Sequence, residues 1–372
     1  MLGKELQKST IMKNLTIVLI MLLCSTLSMA QYQFETVKEA GCTSVKNQSK
    51  TGTCWSFATC SFLESELRRA GKGDLDLSEM FIVRNIYKDK AYNYVMRQGK
   101  AGFGQGSLSH DFVNTVARHG IVPEEVYSGL INGQTHHDHG EMASVLKGTL
   151  DGLVQRRNIS EKWEEAYDAM LSAYIGNYPQ TFEYQGKSYT PKSFAMSLGL
   201  DLKSYISITS YTHHPFYEKF ILEIPDNFSN GSYYNLPMEE MEAIVDNAVY
   251  QGYTVAWDGD VSEKGFSQKQ GLAIVPANPN RSNIFNKPGP EIEVTQALRQ
   301  ETFESYATTD DHLMHIVGIV KDQNGEKYYK VKNSWGESGK LSGYLYMSAA
   351  YFRLKTVGIM VNKDSVPADI AK

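Results

Sequence analysis

The sequence predicts an α+β fold, with helices mainly in the first part of the chain and strands mainly in the last. From Trp55 to Ala70 apolar residues recur at helical spacing, and Gly71 follows as a stop signal. Near the C-terminus two strand-like runs flank Asn324-Gly325, a dipeptide typical of a tight β-hairpin turn. An α+β fold separates helices and strands along the chain in this way.

Four further elements are predicted between these two patterns. Ser78 is a suitable N-cap for a second helix, and a third helix is expected over 108–119. A helical segment follows over 160–174. The run 252–260 is predicted to be a strand that ends in a turn.

The N-terminus has the pattern of a secretory signal peptide. Lys13 precedes an apolar run over 15–23, and Ser28-Met29-Ala30 forms a small-x-small cleavage site. The run is too short to span a bilayer comfortably. We therefore expect cleavage near Ala30, export to the periplasm or the medium, and no membrane association afterwards.

The net charge and the number of cysteines limit the classes of function that the protein can have. The net charge is −5 and there is no basic tract, so no nucleic-acid partner is expected. Cys42, Cys54 and Cys60 remain after signal removal, and an odd number in an exported protein indicates a free reactive thiol. Cys54 is the candidate, while a Cys42–Cys60 disulfide is left open.

Cys54 lies at the predicted start of the first helix, where the helix dipole favours a thiolate. A thiol nucleophile also needs an imidazole within hydrogen-bond reach and a third group that orients it. The C-terminal hairpin supplies His312 and His315 on its first strand and Asn333 at the end of its second. Strand alternation places the two histidines on opposite faces, so they compete for the role of base.

Three separated segments carry a resemblance to a known family. The run Thr51-Gly52-Thr53-Cys54-Trp55 resembles the C-G-S-C-W signature of papain and the cathepsins. The run Lys332-Asn333-Ser334-Trp335-Gly336 resembles the segment that holds the family's catalytic Asn. The chain thus resembles papain-like cysteine peptidases. Because Thr51 replaces the first Cys of the signature, it looks closer to the bleomycin hydrolase and aminopeptidase C branch.

The resemblance implies roles for four residues. Cys54 would be the nucleophile, activated by a protonated His312, and Asn333 would fix the imidazole. Gln48, six residues before Cys54, would donate to the oxyanion. His312 is preferred to His315 because the family's histidine follows an Asp and precedes a Gly by six residues, as His312 does. His315 is then expected to be a packed histidine.

Substrate-binding residues are expected on both sides of the nucleophile. The resemblance implies that Gly104, Gln105 and Gly106 pair with substrate backbone, and that Trp55 and Trp335 lie at the cleft. The alternative for the glycine-rich loop is a simple lead into the third helix. A phosphate cradle is disfavoured because no Lys follows and no strand precedes.

The resemblance implies a two-lobe fold with an insertion. Family members place the His about 130–150 residues after the Cys, whereas here the interval is 258 residues. We expect a single peptidase domain over 31–372, with a helical lobe (31–130), a helical insertion (131–250) and a β-rich lobe (251–372). The signal peptide occupies 1–30.

The predicted function is hydrolysis of peptide bonds without a metal or organic cofactor. In the resembled branch the C-terminal carboxylate lies in the cleft and anchors the substrate amine, so the tail 366–372 favours an aminopeptidase. A papain-type endopeptidase and a catalytically silent papain-scaffold binding protein are the alternatives. Peptide or protein substrates are the expected partners, and a homo-oligomer is left open.

Two further groups have the residue types of a metal site. Asp258 and Asp260 follow the predicted strand, and a solvated turn is the preferred interpretation. The run 136–139 contains three histidines, but no partner pattern accompanies it, so a loop is preferred to zinc.

Overall fold

A computed structural model of the chain describes residues 31–370. The predicted signal peptide lies outside these residues. The helices are α1 (Cys54–Arg69), α2 (Glu79–Met96), α3 (Ser109–His119), α4 (Gly140–Val154), α5 (Lys162–Ile175), α6 (Pro191–Leu198), α7 (Met238–Tyr250), α8 (Gln296–Glu304) and α9 (Ala349–Lys355). Within the described part of the chain, none of them is long and apolar enough to cross a membrane.

Most strands belong to one large sheet. The strands are β1 (Phe34–Glu39), β2 (Phe182–Tyr184), β3 (Lys187–Tyr189), β4 (Tyr205–Thr209), β5 (Lys219–Ile221), β6 (Ser232–Asn235), β7 (Val255–Gly259), β8 (Phe266–Ser267), β9 (Leu272–Ala273), β10 (His312–Asp322), β11 (Lys327–Lys332), β12 (Tyr344–Ser348) and β13 (Thr356–Asn362). The sheet order is β5-β6-β4-β13-β7-β10-β11-β12-β9-β8, and β1 pairs with β10. β2 and β3 form a separate hairpin.

The nucleophile helix α1 is central to the helical lobe. Its residues from Cys54 to Leu67 are buried, and it packs against α2, α3 and strand β10. Two of its buried polar residues are bonded to the neighbouring helices, since Ser56 donates to the Glu79 carbonyl of α2 and Thr59 donates to Ser109 of α3. α1 is thereby held between the two lobes.

The predicted hairpin and caps are present. β10 and β11 pair antiparallel around the Asn324-Gly325 turn, and Gly325 has a φ of +85°. Ser78 caps α2 by accepting the Phe81 N–H at 3.0 Å. Both features follow from local sequence chemistry.

The segment 131–250 is helical over α4, α5 and α6 and also contributes to the main sheet. β4 pairs with β13, and β6 and β5 extend the sheet beyond it. Helix α7 packs against β7, β10 and β13 on the face opposite α1. The second half of the insertion is therefore built into the β-rich lobe.

The N-terminal strand crosses between the predicted lobes. Residues 34–39 were expected in the helical lobe, but β1 forms an antiparallel ladder with β10, from Phe34 opposite Asp322 to Glu39 opposite Gly318. The ladder satisfies backbone groups along an edge of β10 that would otherwise be unpaired. The helical lobe proper begins after this strand.

Candidate active site

Cys54 is the first residue of α1 and its side chain is 8% exposed. The preceding turn is held from outside, because the Gly52 N–H donates to Gln105 Oε1 at 2.8 Å. The Leu313 backbone N–H on β10 hydrogen-bonds to the Cys54 sulfur. The thiol therefore lies where the start of α1 meets the start of β10.

His312 and Asn333 are joined by a 2.8 Å contact between His312 Nε2 and Asn333 Oδ1. The Ser334 backbone N–H donates to the same Asn333 oxygen at 2.7 Å, which identifies it as the acceptor. His312 Nε2 must therefore carry the proton. Its Nδ1 is left as the unprotonated nitrogen, as a general base requires.

Trp335 covers this hydrogen bond. Its ring centroid lies 4.7 Å from that of His312, with the planes inclined by 34°. Asn333 is held from its other side, because its amide donates to Gln268 Oε1 at 2.9 Å. Exclusion of water strengthens a hydrogen bond of this kind.

The amide of Gln48 is held by two hydrogen bonds. Its Nε2 donates to the Thr51 carbonyl at 2.7 Å, and its Oε1 accepts from the Ser334 hydroxyl at 2.6 Å. A primary amide has two N–H donors, so one remains after the bond to Thr51. Ser334 follows Asn333 directly, so one short segment orients both the base and this amide.

His315 lies within the protein core at 1% exposure. Lys332 donates to the Ser61 hydroxyl at 2.8 Å, so Ser61 can donate its own proton to His315 Nδ1 at 2.9 Å. Ser61 is seven residues along α1 from Cys54, which corresponds to about 10 Å. This position fits the expected packed histidine.

Burial controls the protonation states of Cys54 and His312. Desolvation raises the pKa of Cys54 to about 12, with smaller contributions in the same direction from the carboxyl groups of Asp310, Asp258 and Asp226. Desolvation also lowers the pKa of His312 to about 4, against an opposing effect of its bond to Asn333. Near neutral pH these shifts favour a protonated thiol at Cys54 and a neutral imidazole at His312 over the expected thiolate–imidazolium pair.

The three cysteines of the described chain are free. Cys60 is buried beside Glu64 and the Leu77 carbonyl, and the Cys42 sulfur contacts the Tyr344 hydroxyl at 3.5 Å. The disulfide between Cys42 and Cys60 that the sequence left open is absent from this part of the chain.

The glycine-rich loop lies beside the nucleophile, as its predicted role requires. The Gln105 carbonyl accepts the indole N–H of Trp55 at 2.9 Å. The carbonyls of Gly104 and Gly106 both accept from the buried ammonium of Lys90. Trp55 is only 1% exposed and supports the loop from behind, and its predicted contact with substrate stays a prediction.

Asp258 and Asp260 do not lie in a solvated turn. Both are buried. Asp260 has partners, since it accepts the Ser262 N–H and pairs with Lys355. Asp258 interacts with Asp310, and both act on Cys54. Sequence reasoning did not include Asp310, Asp226 or Lys90 in the site. The adjacent Asp310-Asp311 pair just before His312 is the one local signal that could have drawn attention to Asp310.

The first of two histidine groups outside the cleft contains His137 and His139. His137 stacks edge-on against Phe57, and burial lowers the pKa of His137 and His139 to about 4. Both imidazoles are therefore neutral at neutral pH. The loop is tied to the turn before the nucleophile, because the Lys50 N–H donates to the His137 carbonyl at 3.1 Å.

His213, His214 and Glu223 have nitrogen and oxygen atoms close enough to share a metal ion. However, the Thr212 N–H donates to Gln300 Oε1 at 2.6 Å, so the other amide atom of Gln300 donates to His213 Nδ1 at 3.0 Å. His213 Nε2 must then hold its proton and donate to Glu223. A ligating nitrogen must be unprotonated, so this arrangement favours a hydrogen-bonded group over a metal site.

The C-terminal tail follows a different path from the predicted one. Asn362, at the end of β13, donates to Glu66 at 2.6 Å, about 18 Å along α1 from Cys54. The Ser365 carbonyl accepts from Asn247 on α7, and Val366 and Ile370 pack in the apolar cluster formed with that helix. As far as residue 370, the tail packs against α7 instead of filling the cleft.

Comparison with known families identifies the chain. A model of the Peptidase C1-like family matches residues 87–372, about three quarters of the sequence. The chain belongs to the Peptidase C1-like family. It is therefore a cysteine-type peptidase, as the sequence predicted.

Relatives within this family match most of the chain. Aminopeptidase C of Lactobacillus delbrueckii subsp. lactis is 24% identical over 88% of this chain and 81% of its own length. Aminopeptidase G of the same organism is 25% identical over 87% of this chain and 82% of its own length. The predicted placement on the bleomycin hydrolase and aminopeptidase C branch is confirmed.

A solved structure shows the same fold. PepW of Lactobacillus rhamnosis HN001 (DR20) superposes with a TM-score of 0.71 at 20% identity, covering 90% of this chain and 83% of the other. The predicted papain-like α+β fold is confirmed.

Proposed function

We propose that this Peptidase C1-like family member is an exported aminopeptidase that acts through Cys54, His312 and Asn333. The observation that carries the proposal is the hydrogen bond from His312 Nε2 to Asn333, which leaves Nδ1 as the base. Cys54 lies nearby at the helix start, with its sulfur bonded to the N–H of Leu313, the residue after His312.

The reaction begins when a peptide carbonyl carbon approaches the Cys54 sulfur. The thiol proton passes to His312 Nδ1 as the S–C bond forms and the carbonyl oxygen becomes an oxyanion. The imidazolium then protonates the leaving amine as the C–N bond breaks, which leaves a thioester. Water attacks the thioester, His312 takes the water proton, and the proton returns to the sulfur as the carboxylate product departs.

The oxyanion would be stabilised by the remaining N–H of Gln48 and by the backbone N–H of Cys54. The first N–H groups of a helix have no intrahelical partner, so the Cys54 donor is available. Gln48 is already held by Thr51 and Ser334. A donor fixed before the reaction loses little free energy to reorganisation.

The choice of an aminopeptidase rests on the relatives, whose names describe aminopeptidases C, G and W. One observation favours the papain-type endopeptidase instead, namely that the described tail packs beside α7 and not in the cleft.

Hydrolysis of a leucyl fluorogenic amide and of its N-acetyl counterpart separates these functions. An aminopeptidase should show at least a tenfold higher kcat/KM for the free-amine substrate. A preference for the acetylated substrate would support the endopeptidase. A protein that hydrolyses neither and does not react with a thiol-directed epoxide would be a silent scaffold.

Export rests on the N-terminal pattern of Lys13, the apolar run 15–23 and Ser28-Met29-Ala30. Expression in a Gram-negative host followed by fractionation tests it. N-terminal sequencing of the periplasmic protein should begin at Gln31. Full-length protein confined to the cytoplasm would contradict export.

A further inference from the structure

Three carboxyl groups converge beside the Cys54 sulfur. Asp258 on β7 lies directly opposite Leu313 on β10, the residue whose N–H bonds to that sulfur. Residues opposite each other in a ladder share one face of the sheet. Leu313 and Ala256 both belong to the apolar cluster around α1, so Asp258 also points to the α1 side.

Asp310 and Asp226 reach this place from other segments. Asp310 lies two residues before His312, and its carboxyl group hydrogen-bonds with that of Asp258. Asp226 comes from the insertion and lies against the glycine-rich loop, where a Cβ at Gly106 would collide with its carboxylate. All three negative charges act on the Cys54 thiol.

The carboxyl groups of Asp258 and Asp310 lack hydrogen-bond donors. Asp258 is 4% exposed, and within residues 31–370 neither of its oxygens has a hydrogen-bond donor other than the carboxyl group of Asp310. The same holds for Asp310 Oδ2. The ammonium of Lys90 acts on Asp226 and Asp310, but it is committed to the carbonyls of Gly104 and Gly106. Lys90 supplies one positive charge for three acidic groups.

An unpartnered buried carboxyl group is costly. Protonation reduces this cost, since burial raises the pKa of Asp258 well above its usual range and that of Asp310 to about 7. A cation entering from the cleft would supply the missing donors and displace the proton.

We propose that Asp258 and Asp310, supported by Asp226, bind a positively charged nitrogen of the peptide substrate. The nitrogen is either the free α-ammonium or the side-chain cation of Lys or Arg. The assignment rests on the proposed peptidase function and identifies the substrates that the site selects.

Binding would also act on the nucleophile. Where these acids are ionised they oppose ionisation of Cys54, so a bound cation that pairs with an ionised carboxylate lowers the pKa of the thiol. A substrate that carries the cation thus promotes formation of the thiolate that attacks it.

Four dipeptidyl fluorogenic amides test the proposal. They combine a free or acetylated α-amine with a lysine or a norleucine at the first residue, and the second residue is constant. The variants are Asp258→Asn, Asp310→Asn and, as a surface control, Asp364→Asn. We expect each cleft variant to lower kcat/KM at least tenfold for substrates bearing the selected cation and less than twofold for acetyl-norleucyl substrate.

The substrate pattern identifies the source of the nitrogen. If the cleft variants lose kcat/KM for both free-amine substrates, the bound nitrogen is the α-ammonium. If they lose kcat/KM for both lysyl substrates, it is the side-chain cation. Alkylation of Cys54 by iodoacetamide at pH 8, followed by mass spectrometry, should be faster in Asp310→Asn, because Asp310, with a pKa of about 7, is mostly ionised at that pH. An equal loss for all four substrates with unchanged alkylation would mean that the acids are only structural and would overturn the proposal.

A wild-type protein that hydrolyses none of the four substrates would contradict the proposed function but not decide the binding site. In that case lysine amide must still raise the Tm of the wild type more than that of Asp310→Asn, and equal shifts overturn the proposal. A Tm increase with Ca²⁺ alone that Asp310→Asn abolishes would assign the pocket to a metal and also overturn it.

Discussion

His312 Nε2 donates to Asn333 Oδ1 across 2.8 Å, and the backbone of Ser334 fixes the direction of that bond. Because Ser334 also donates to Gln48, the residues around Asn333 orient both the base and the proposed oxyanion donor. The short segment after β11 thus holds both the base and the proposed oxyanion donor in place.

The two histidines should respond differently to substitution. His312→Ala should lower kcat by about 10²–10⁴-fold, the usual contribution of a general acid–base group. His315→Ala removes the bond to Ser61 and the edge-on contact with Phe62, so it should lower the Tm and leave kcat of the folded fraction nearly unchanged. Activity retained in His312→Ala would move the base to another residue.

Removal of the Gln48 amide should affect the transition state more than substrate binding. Gln48→Ala should lower kcat by about 10²–10³-fold with a smaller change in KM, as for other oxyanion donors. Gln251→Ala, at the exposed end of α7, is the matched control. A change in KM alone would exclude Gln48 from the oxyanion hole.

Alkylation of the free enzyme should depend on pH in a specific direction. Because burial raises the pKa of Cys54 to about 12 and lowers that of His312 to about 4, the thiol stays protonated near neutrality. The rate of Cys54 modification by iodoacetamide should therefore keep rising from pH 7 to 10. A plateau that begins near pH 5 would indicate a thiolate–imidazolium pair in the free enzyme.

The C-terminal tail, residues 366–372, should contribute to the stability of the fold and not to the choice of substrate. Deletion of residues 366–372 removes Val366 and Ile370 from the cluster around α7, which should lower the free energy of unfolding by about 2–4 kcal/mol, as for loss of a buried Ile side chain. The ratio of kcat/KM for free-amine and acetylated amides should not change. A reversal of that ratio would restore the C-terminal carboxylate as the amine anchor.

Local sequence patterns predict the parts of this site that depend on local chemistry. The Ser78 cap and the Asn324-Gly325 hairpin each follow from the preferences of a few adjacent residues. The family's spacing around His312 selected the histidine that contacts Asn333.

The other features of the fold and of the site depend on contacts between segments that are distant in the sequence. β1 pairs with β10 across nearly three hundred residues, and no local pattern in 34–39 specifies that partner. Asp258 resembles a turn residue in the sequence, but the ladder with β10 and the approach of Asp310 bury it. Neither the burial of Trp55 nor its bond to Gln105 can be inferred from adjacent residues.

The central claim is that Cys54 is the nucleophile of a peptidase. Hydrolysis of a leucyl fluorogenic amide by wild type, Cys54→Ala and Cys60→Ala tests it most directly, with circular dichroism to confirm that each variant is folded. Both cysteines are buried on α1, so the pair controls for loss of a thiol from that helix. We expect no measurable hydrolysis by Cys54→Ala and near wild-type kcat for the folded fraction of Cys60→Ala. Hydrolysis by Cys54→Ala at the wild-type rate would contradict the account.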